Sequence, residues 1–381
     1  MIGTRLVSRG FMRVTRRRPC RICGKPDWCT YTRDEEVSIC ARQTVGANKI
    51  NAHGEGIFVH EERDLNKHVF IPAPKSPEKH RAPIEVRDAV YRELLRLSPA
   101  TNYTPALVEG PDGLLARGFQ LNQLSSFGAL PPEIEARDDL AHLLLKHVQK
   151  RFSSTIALDG VPGFWRDSLG IHLWKPKTYR APRLLIPYRD AGGRIQALQM
   201  RRAKRHGDQG SHYLWLSSCE EPGGASSGTP LHHTFLDRNC PEDRVRVITE
   251  GALKAEALVA LRPNAFALAT GGVSVAHQEL ISATRGRQVL LAFDQDYHSN
   301  RVVCLQMASL IASRVAAERI HSSTRIALWD ARFKGIDDAA LAQVKITSLS
   351  ISEWVERLSA EFREFVNKRW AESDVQILPA S

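Results

Sequence analysis

The chain has 381 residues, 43% hydrophobic and 25% charged, enough for one or two ordinary cores with small modules beside them. No run approaches the ~18 consecutive apolar residues that a membrane crossing needs, and no secretory pattern opens the chain, so a cytoplasmic protein is expected. A formal charge of +11 and a pI near 9.5 favour a polyanionic partner.

Residues 1–18 carry Arg5, Arg9, Arg13, Arg16, Arg17 and Arg18 with no acid, six of the eleven net charges. They read as a solvated basic tail, or as an upstream extension of a chain that starts at Met12, ahead of a dedicated nucleic-acid arm. Their composition also suits a mitochondrial presequence, which nothing downstream supports. Next come four of the seven cysteines, Cys20, Cys23, Cys29 and Cys40; Cys219, Cys240 and Cys304 are scattered. Cys20-Arg21-Ile22-Cys23 has the spacing of a zinc knuckle, and clustered cysteines without a secretion signal read as metal binding rather than disulfides. Residues 28–41 read as a hairpin turning at Asp34-Glu35. In that register Tyr31 faces Ser38 and Cys29 faces Cys40, both cysteines on one face ~5 Å apart. The expected site holds a structural Zn2+ by Cys20, Cys23, Cys29 and Cys40; a competing set replaces Cys29 by His60. Four unliganded cysteines in a segment with so little core is the weaker alternative.

Residues 63–84 are polar, with Pro72, Pro74, Pro77 and Pro83, and read as a linker. Helical spacing then places Val86, Val90, Leu94, Leu95 and Leu97 on one face, and Leu140, Leu143, Leu144 and Val148 on another. Between them, 114–129 reads as two short helices around a turn. A β-rich section follows: strands at 184–187 and 195–199 flank Asp190-Ala191-Gly192-Gly193, a hairpin signal, with a further strand at 213–216 and a loop at 219–230. From 244 strands (245–249, 265–269, 289–293, 325–329) alternate with helices (252–261, 275–284, 302–317), which implies parallel β-α-β units. A terminal amphipathic helix is expected over 351–371.

Two of these strands run into acids: Val-Ile-Thr into Glu250-Gly251, and Leu-Leu-Ala-Phe into Asp294-Gln295-Asp296. In an open parallel sheet ligands sit beyond the carboxyl ends of strands, so the three acids can converge across forty-four positions. Together they would hold Mg2+, or Mn2+, a hard ion that takes oxygen ligands and can orient phosphates for in-line displacement. Without metal, like charges held so close would repel. The plainer alternative makes each acid a helix cap or a solvated loop residue.

The Ile-Thr-Glu250-Gly251 and Ala-Phe-Asp294-Gln295-Asp296 pair resembles the topoisomerase–primase ("toprim") signature shared by DnaG-type primases, topoisomerases and some nucleases. Arg183-Leu-Leu-Ile-Pro187-Tyr-Arg-Asp190-Ala-Gly-Gly193-Arg194-Ile, then Tyr213-Leu-Trp-Leu-Ser217-Ser218, resembles the stretch ahead of toprim in bacterial primases. With the cysteines and Lys334-Gly335-Ile336-Asp337-Asp338, the order of parts is similar to phage- and plasmid-borne primase-like proteins, over roughly 19–62 and 160–345. The resemblance implies a multi-domain α/β protein: basic tail 1–18, zinc ribbon 19–62, linker 63–84, helical linker domain 85–155, α+β primase-core portion 156–243, parallel-sheet toprim domain 244–348 and C-terminal helix 349–381. It also implies a bacterial cytoplasmic setting and Mg-dependent RNA primer synthesis on single-stranded DNA from nucleoside triphosphates, for a mobile element, beside a separate replicative helicase. Two departures stand out. Primases usually carry an acid three residues after the toprim glycine, where this chain has Lys254. Beyond Asp296, where they tend to have Ala-Gly, it has Tyr297-His298-Ser299-Asn300. Lysine there can contact phosphate but cannot hold a second metal, with Asp337 or Asp338 as candidates to restore the charge.

Other features are less specific. The run Arg201, Arg202, Lys204, Arg205 and His206 is a solvated edge or a contact for template or nucleotide phosphate, as is Lys334. Gly271-Gly272 reads as a turn or as lining of the site, Trp165, Trp174 and Trp215 as core or as base-stacking residues, and His232-His233 stays unassigned. No GxxxxGK[S/T] occurs, so no P-loop helicase is encoded in this sequence. The rival functions are a toprim-type nuclease, which needs a water-activating base that does not stand out, and a non-catalytic DNA-binding replication or regulatory module.

Overall fold

The computed structural model describes residues 11–32, 37–45, 47, 49–50, 55–59, 81–174, 181–203, 212–236, 239–318 and 323–371. Among the described residues the chain divides into two units, the first formed by those between 11 and 59 and the second by those between 81 and 371.

The first unit is an antiparallel sheet of short strands: β1 (Phe11–Arg13), β2 (Thr30–Thr32), β3 (Val37–Cys40), β4 (Lys49–Ile50) and β5 (Gly56–Val59), in the order β1-β2-β3-β5-β4. Tyr31 pairs with Ser38 and Thr30 with Ile39, the register that aligns Cys29 with Cys40. The turn at Asp34-Glu35 lies outside the described residues. Residues 11–18 differ from the expected tail: Phe11–Arg13 pairs with Thr30–Thr32, and Thr15 bridges to Arg18. The buried set is Val14, Cys20, Cys29, Cys40, Ala41 and Phe58. Half of it is cysteine, too little apolar surface to hold a sheet of this size without a further link.

In the second unit, α1 (Ile84–Leu97), α2 (Ala100–Tyr103) and α3 (Pro105–Val108) are followed by 3-10 turns at Leu115–Arg117 and Leu121–Ser126. The two short helices read over 114–129 are thus present as 3-10 helices, and the stretch runs on into a strand that was not expected, β6 (Gly128–Leu130), ahead of α4 (Ile134–Arg151). A hairpin of β7 (Phe164–Asp167) and β8 (Gly170–Leu173) stands apart as its own sheet. The hairpin read from the sequence is β9 (Arg183–Arg189) and β10 (Ile195–Arg201). Its turn is closed by the Asp190 carboxylate, which accepts the Gly192 and Arg194 amides at 2.9 Å each. With β11 (Tyr213–Trp215) and β6 it forms a sheet ordered β11-β10-β9-β6.

The remainder is a six-stranded sheet. Its strands are β12 (His232–His233), β13 (Arg246–Glu250), β14 (Phe266–Thr270), β15 (Val289–Leu291), β16 (Thr324–Leu328) and β17 (Thr347–Leu349), ordered β12-β14-β13-β15-β16-β17. The inner four are parallel and both edges antiparallel. The crossovers are α5 (Ala252–Leu261), α6 (His277–Ala283) and α7 (Arg301–Glu318); α8 (Ile336–Leu341) precedes β17. The single terminal helix expected over 351–371 is two, α9 (Ile351–Glu356) and α10 (Ala360–Ala371), because the Ser359 hydroxyl accepts the Phe362 amide at 3.3 Å and starts a new helix.

Helix α5 joins the two sheets. Ala252, Leu253 and Ala257 pack with Leu184, Ile186, Tyr188 and Ala197 of the β9–β10 hairpin, while Ala255 and Leu258 pack with Ala267, Ala269, Ala292 and Ala327 of the parallel sheet. A helix covered on both sides must be apolar nearly all round, and alanine lets two sheets approach it closely. His232-His233 belongs to this seam: His232 accepts the Arg189 amide at 3.0 Å on Nδ1, so Nε2 carries the proton toward Glu256, 3.1 Å away.

Helix α4 is tied to the β7–β8 hairpin by His172, whose ring nitrogens lie 2.9 Å from Asp138 and 2.9 Å from Asp167, with Trp165 stacked on its face. Burial works against the imidazolium, but the two carboxylates outweigh it and raise the His172 pKa above 6.5. A raised histidine stabilises fully below the unfolded pKa, and the contribution disappears as pH climbs through the folded value. Thermal melting from pH 5.5 upward should therefore show a margin between wild type and His172→Gln that is largest at acid pH and shrinks above neutrality. A constant margin would leave His172 as packing alone.

Candidate functional site

The cysteines form the tighter of two clusters. The knuckle is turned by backbone bonds from Gly24 to Cys20 and from Cys20 to Lys25, 2.8 Å each, and β2 and β3 deliver Cys29 and Cys40. The four Sγ atoms lie within 4.8 Å of one another. Cys23 and Cys29 are 3.7 Å apart and Cys29 and Cys40 3.9 Å, near the ~3.8 Å edge of a tetrahedron with ~2.3 Å zinc–sulfur bonds. Burial pushes the Cys29 thiol up and Cys40 to about 11, so a cation is needed to hold these sulfurs as thiolates. Arg42 adds positive charge 4.0 Å from the Cys29 sulfur, itself fixed by Asp27 at 2.7 Å. Cys29 thus completes a four-sulfur set that could bind zinc; His60 lies outside the described residues.

The second cluster is built by strand register. Ile248 of β13 pairs with Leu291 of β15, so Glu250 ends its strand two residues further on, just short of the level of Asp294. Gly251 turns the chain into α5 with φ 90°, in the region that favours glycine. Asp294 begins a 3-10 turn (Gln295–His298) without its side chain capping it, and α5 is capped by Gly251 rather than Glu250. Lys254, one turn into α5, forms an ion pair with Asp294. Lys334 stands 3.5 Å from both Asp294 and Asp296. The expectation of bare acids repelling one another is therefore replaced by acids already facing two ammonium groups. Burial, with Asp294 and Asp296 nearby, raises the Glu250 pKa, opposed by Lys254 and Lys334. Burial also works against the Lys254 charge, but Asp294 and Glu250 outweigh it and raise its pKa.

Do these acids fit a divalent ion? The donors are hard oxygens, and Asp296 Oδ1 is buried with no hydrogen-bond partner among the described residues, an acceptor available to a cation. Lys334 already places positive charge between the two aspartates. Among the described residues, however, only the cysteines bring three or more ligand atoms within 4.8 Å; the carboxylates stand wider, with Lys254 and Lys334 against them.

A third group joins Asp337 and Arg201 through Arg117, the one member that was not legible in the sequence. Arg117 donates to Asp337 at 2.6 Å. Buried Arg201, at the end of β10, senses Arg117, Asp112 and Asp337, and burial lowers its pKa. Arg201 is thus interior, beside the Asp337 end of the site, rather than on a solvated edge; Arg202 is half-buried, and Lys204 and Arg205 lie outside the described residues. Two other sequence features belong to packing. A side chain on Gly271 would meet the Trp215 indole at 2.6 Å, so glycine is required there by close approach. Trp174 lies between Arg137 and Arg183, 5.2 and 5.1 Å from its ring, and is buried like Trp165.

Residues 244–346 match the model of a family described as a domain of unknown function, DUF3854. No curated protein matches the chain. Among solved structures the chain is similar to the zinc-binding and RNA polymerase domains of the Aquifex aeolicus primase, at 14% identity over 77% of this chain and 68% of that one, TM-score 0.47. It is similar to the RNA polymerase domain of Mycobacterium tuberculosis primase DnaG, at 14% identity over 76% and 99%, TM-score 0.48. A DNA primase domain from Pseudomonas aeruginosa gives 18% identity over 74% and 95%, TM-score 0.47. No helix among the described residues is long and apolar enough to cross a membrane.

The sulfur geometry predicts one zinc per chain by elemental analysis of the purified protein. Cys29→Ser should lose that metal and melt the first unit's sheet, read by loss of its amide protection in hydrogen exchange. Stoichiometric zinc retained by Cys29→Ser would move the fourth ligand elsewhere.

Proposed function

We propose that the protein is a DnaG-like primase that synthesises RNA primers on single-stranded DNA, with Mg2+ or Mn2+ at a toprim-type site. The observation that carries this reading is the delivery of Glu250, Asp294 and Asp296 to the carboxyl ends of two adjacent parallel strands, with Lys334 against both aspartates and Arg117 against Asp337. Glu250, Asp294 and Asp296 would hold the ion, which when bound would orient phosphates and stabilise the charge of an in-line displacement. The chain's own part is positioning. Lys334, two-thirds exposed at 67%, is free to leave the aspartates for a nucleotide phosphate. Arg117 and Arg201 keep positive potential on the Asp337 side, where a triphosphate would be neutralised. Lys254 faces Asp294 and so acts on the acids before it acts on substrate. The zinc-bearing sheet would touch template, and replication of a mobile element beside a separate replicative helicase is the setting the sequence resemblance supports.

The Lys254–Asp294 pair also favours a second reading, a DNA-binding replication module without catalysis, since it occupies an acid that the chemistry would need.

Incubation with 5′-labelled single-stranded DNA, labelled nucleoside triphosphates and Mg2+ or Mn2+ separates these readings. A primase should extend new RNA, with Asp294→Asn and Asp296→Asn each slower by on the order of 100-fold or more. Shortening of the labelled strand without nucleotides would mean a nuclease. Binding that weakens steeply with salt, with neither product, would leave the non-catalytic module.

A further inference from the structure

We infer that Lys254 is a built-in counter-ion standing where a second divalent cation would otherwise sit, so that the acid cluster accepts one ion and not two. This rests on reading the acids as a divalent-ion site. Glu250, Asp294, Asp296 and Asp337 bring four carboxylates to one end of the parallel sheet. Asp337 is 3% exposed; one of its oxygens is held by Arg117 and the other, Oδ1, has no partner among the described residues. A methyl group built on Gly335 would run into that Asp337 oxygen and lie 3.5 Å from Lys254 Cε. The lysine stem and the open carboxylate therefore flank the same backbone position.

The Lys254 head group pairs with Asp294, and the two side chains are 23% and 10% exposed. Few waters reach them, so the ammonium is screened little and competes directly with any ion drawn to Asp294 and Asp337. Lys334 differs: it is 67% exposed and 3.5 Å from each aspartate, so it yields to an ion at low cost. The cluster is thus divided. Glu250, the unpartnered Asp296 oxygen and the Asp294 oxygen that faces Lys334 remain open to one metal, while the other Asp294 oxygen and Asp337 face a covalently tethered charge that cannot diffuse away. A lysine brings one positive charge and no vacant ligand positions, whereas a divalent ion brings two charges and several exchangeable waters. The substitution therefore fixes charge while withdrawing a coordination site, and the specificity-determining residue for metal number is Lys254.

The test is a Mn2+ titration of the zinc-loaded full chain, counting bound ion by electron paramagnetic resonance, with no activity needed. Wild type should bind one Mn2+, Lys254→Asp two, and Lys334→Ala still one. Lys254→Met, close in length and volume, should bind its ion on the order of tenfold more tightly, because a positive charge has been removed from beside the ligands. Two ions in wild type would overturn the inference. So would one ion in a folded Lys254→Asp protein, or, should that variant not fold, an unchanged affinity in Lys254→Met. These failures leave the metal-site reading intact. No Mn2+ bound by wild type at millimolar concentration would instead remove that reading, and the inference with it.

Discussion

Carboxylates gathered at the ends of parallel strands repel one another, and burying them raises the cost of their charge; Glu250 and Asp337 both show this in raised pKa values. The second unit is arranged around that cost. Lys254 reaches from α5 to the loop after β15, Lys334 comes in from the segment before α8, and Arg117 crosses 220 positions of sequence to Asp337. Each cation fastens a different stretch of chain to the same acids. Removing one partner of such a pair leaves a buried charge without compensation, which is why variants here need a folding control beside any functional readout.

Much of this order could be read from local pattern. Apolar runs ending in Glu250 and in Asp294-Gln295-Asp296 marked strand ends, and the alternation with helices of about ten residues marked parallel topology. The Asp190–Gly193 turn was legible because an aspartate that accepts amides two and four residues on is a local device. The cysteine register followed from alternation in a short hairpin.

What escaped had non-local causes. The two-residue β12 is too short for any periodicity; it is a strand because β14 offers it an edge and Glu256 and Arg189 satisfy His232. Strand β6 and the β7–β8 hairpin lacked a turn signal of the Asp-Gly kind. Ser359 was hidden inside an apparently continuous amphipathic run. Arg117 carried no motif at all, since its meaning is supplied by Asp337. Lys254 was visible as an odd residue, but only the fold shows that it faces an aspartate rather than open solvent.

Helix α5 has a consequence of its own. It has a sheet on each flank and almost no free surface, so its rotation about its axis is fixed as firmly as its position. Every residue added or deleted inside it would turn the following side chains by ~100°, driving alanines out of their seats and bulkier residues in. Lys254 would also swing from the aspartate into one sheet or the other if the change fell before it. The length of this helix is therefore as constrained as its composition, and variation in related chains should accumulate in its neighbours' loops instead.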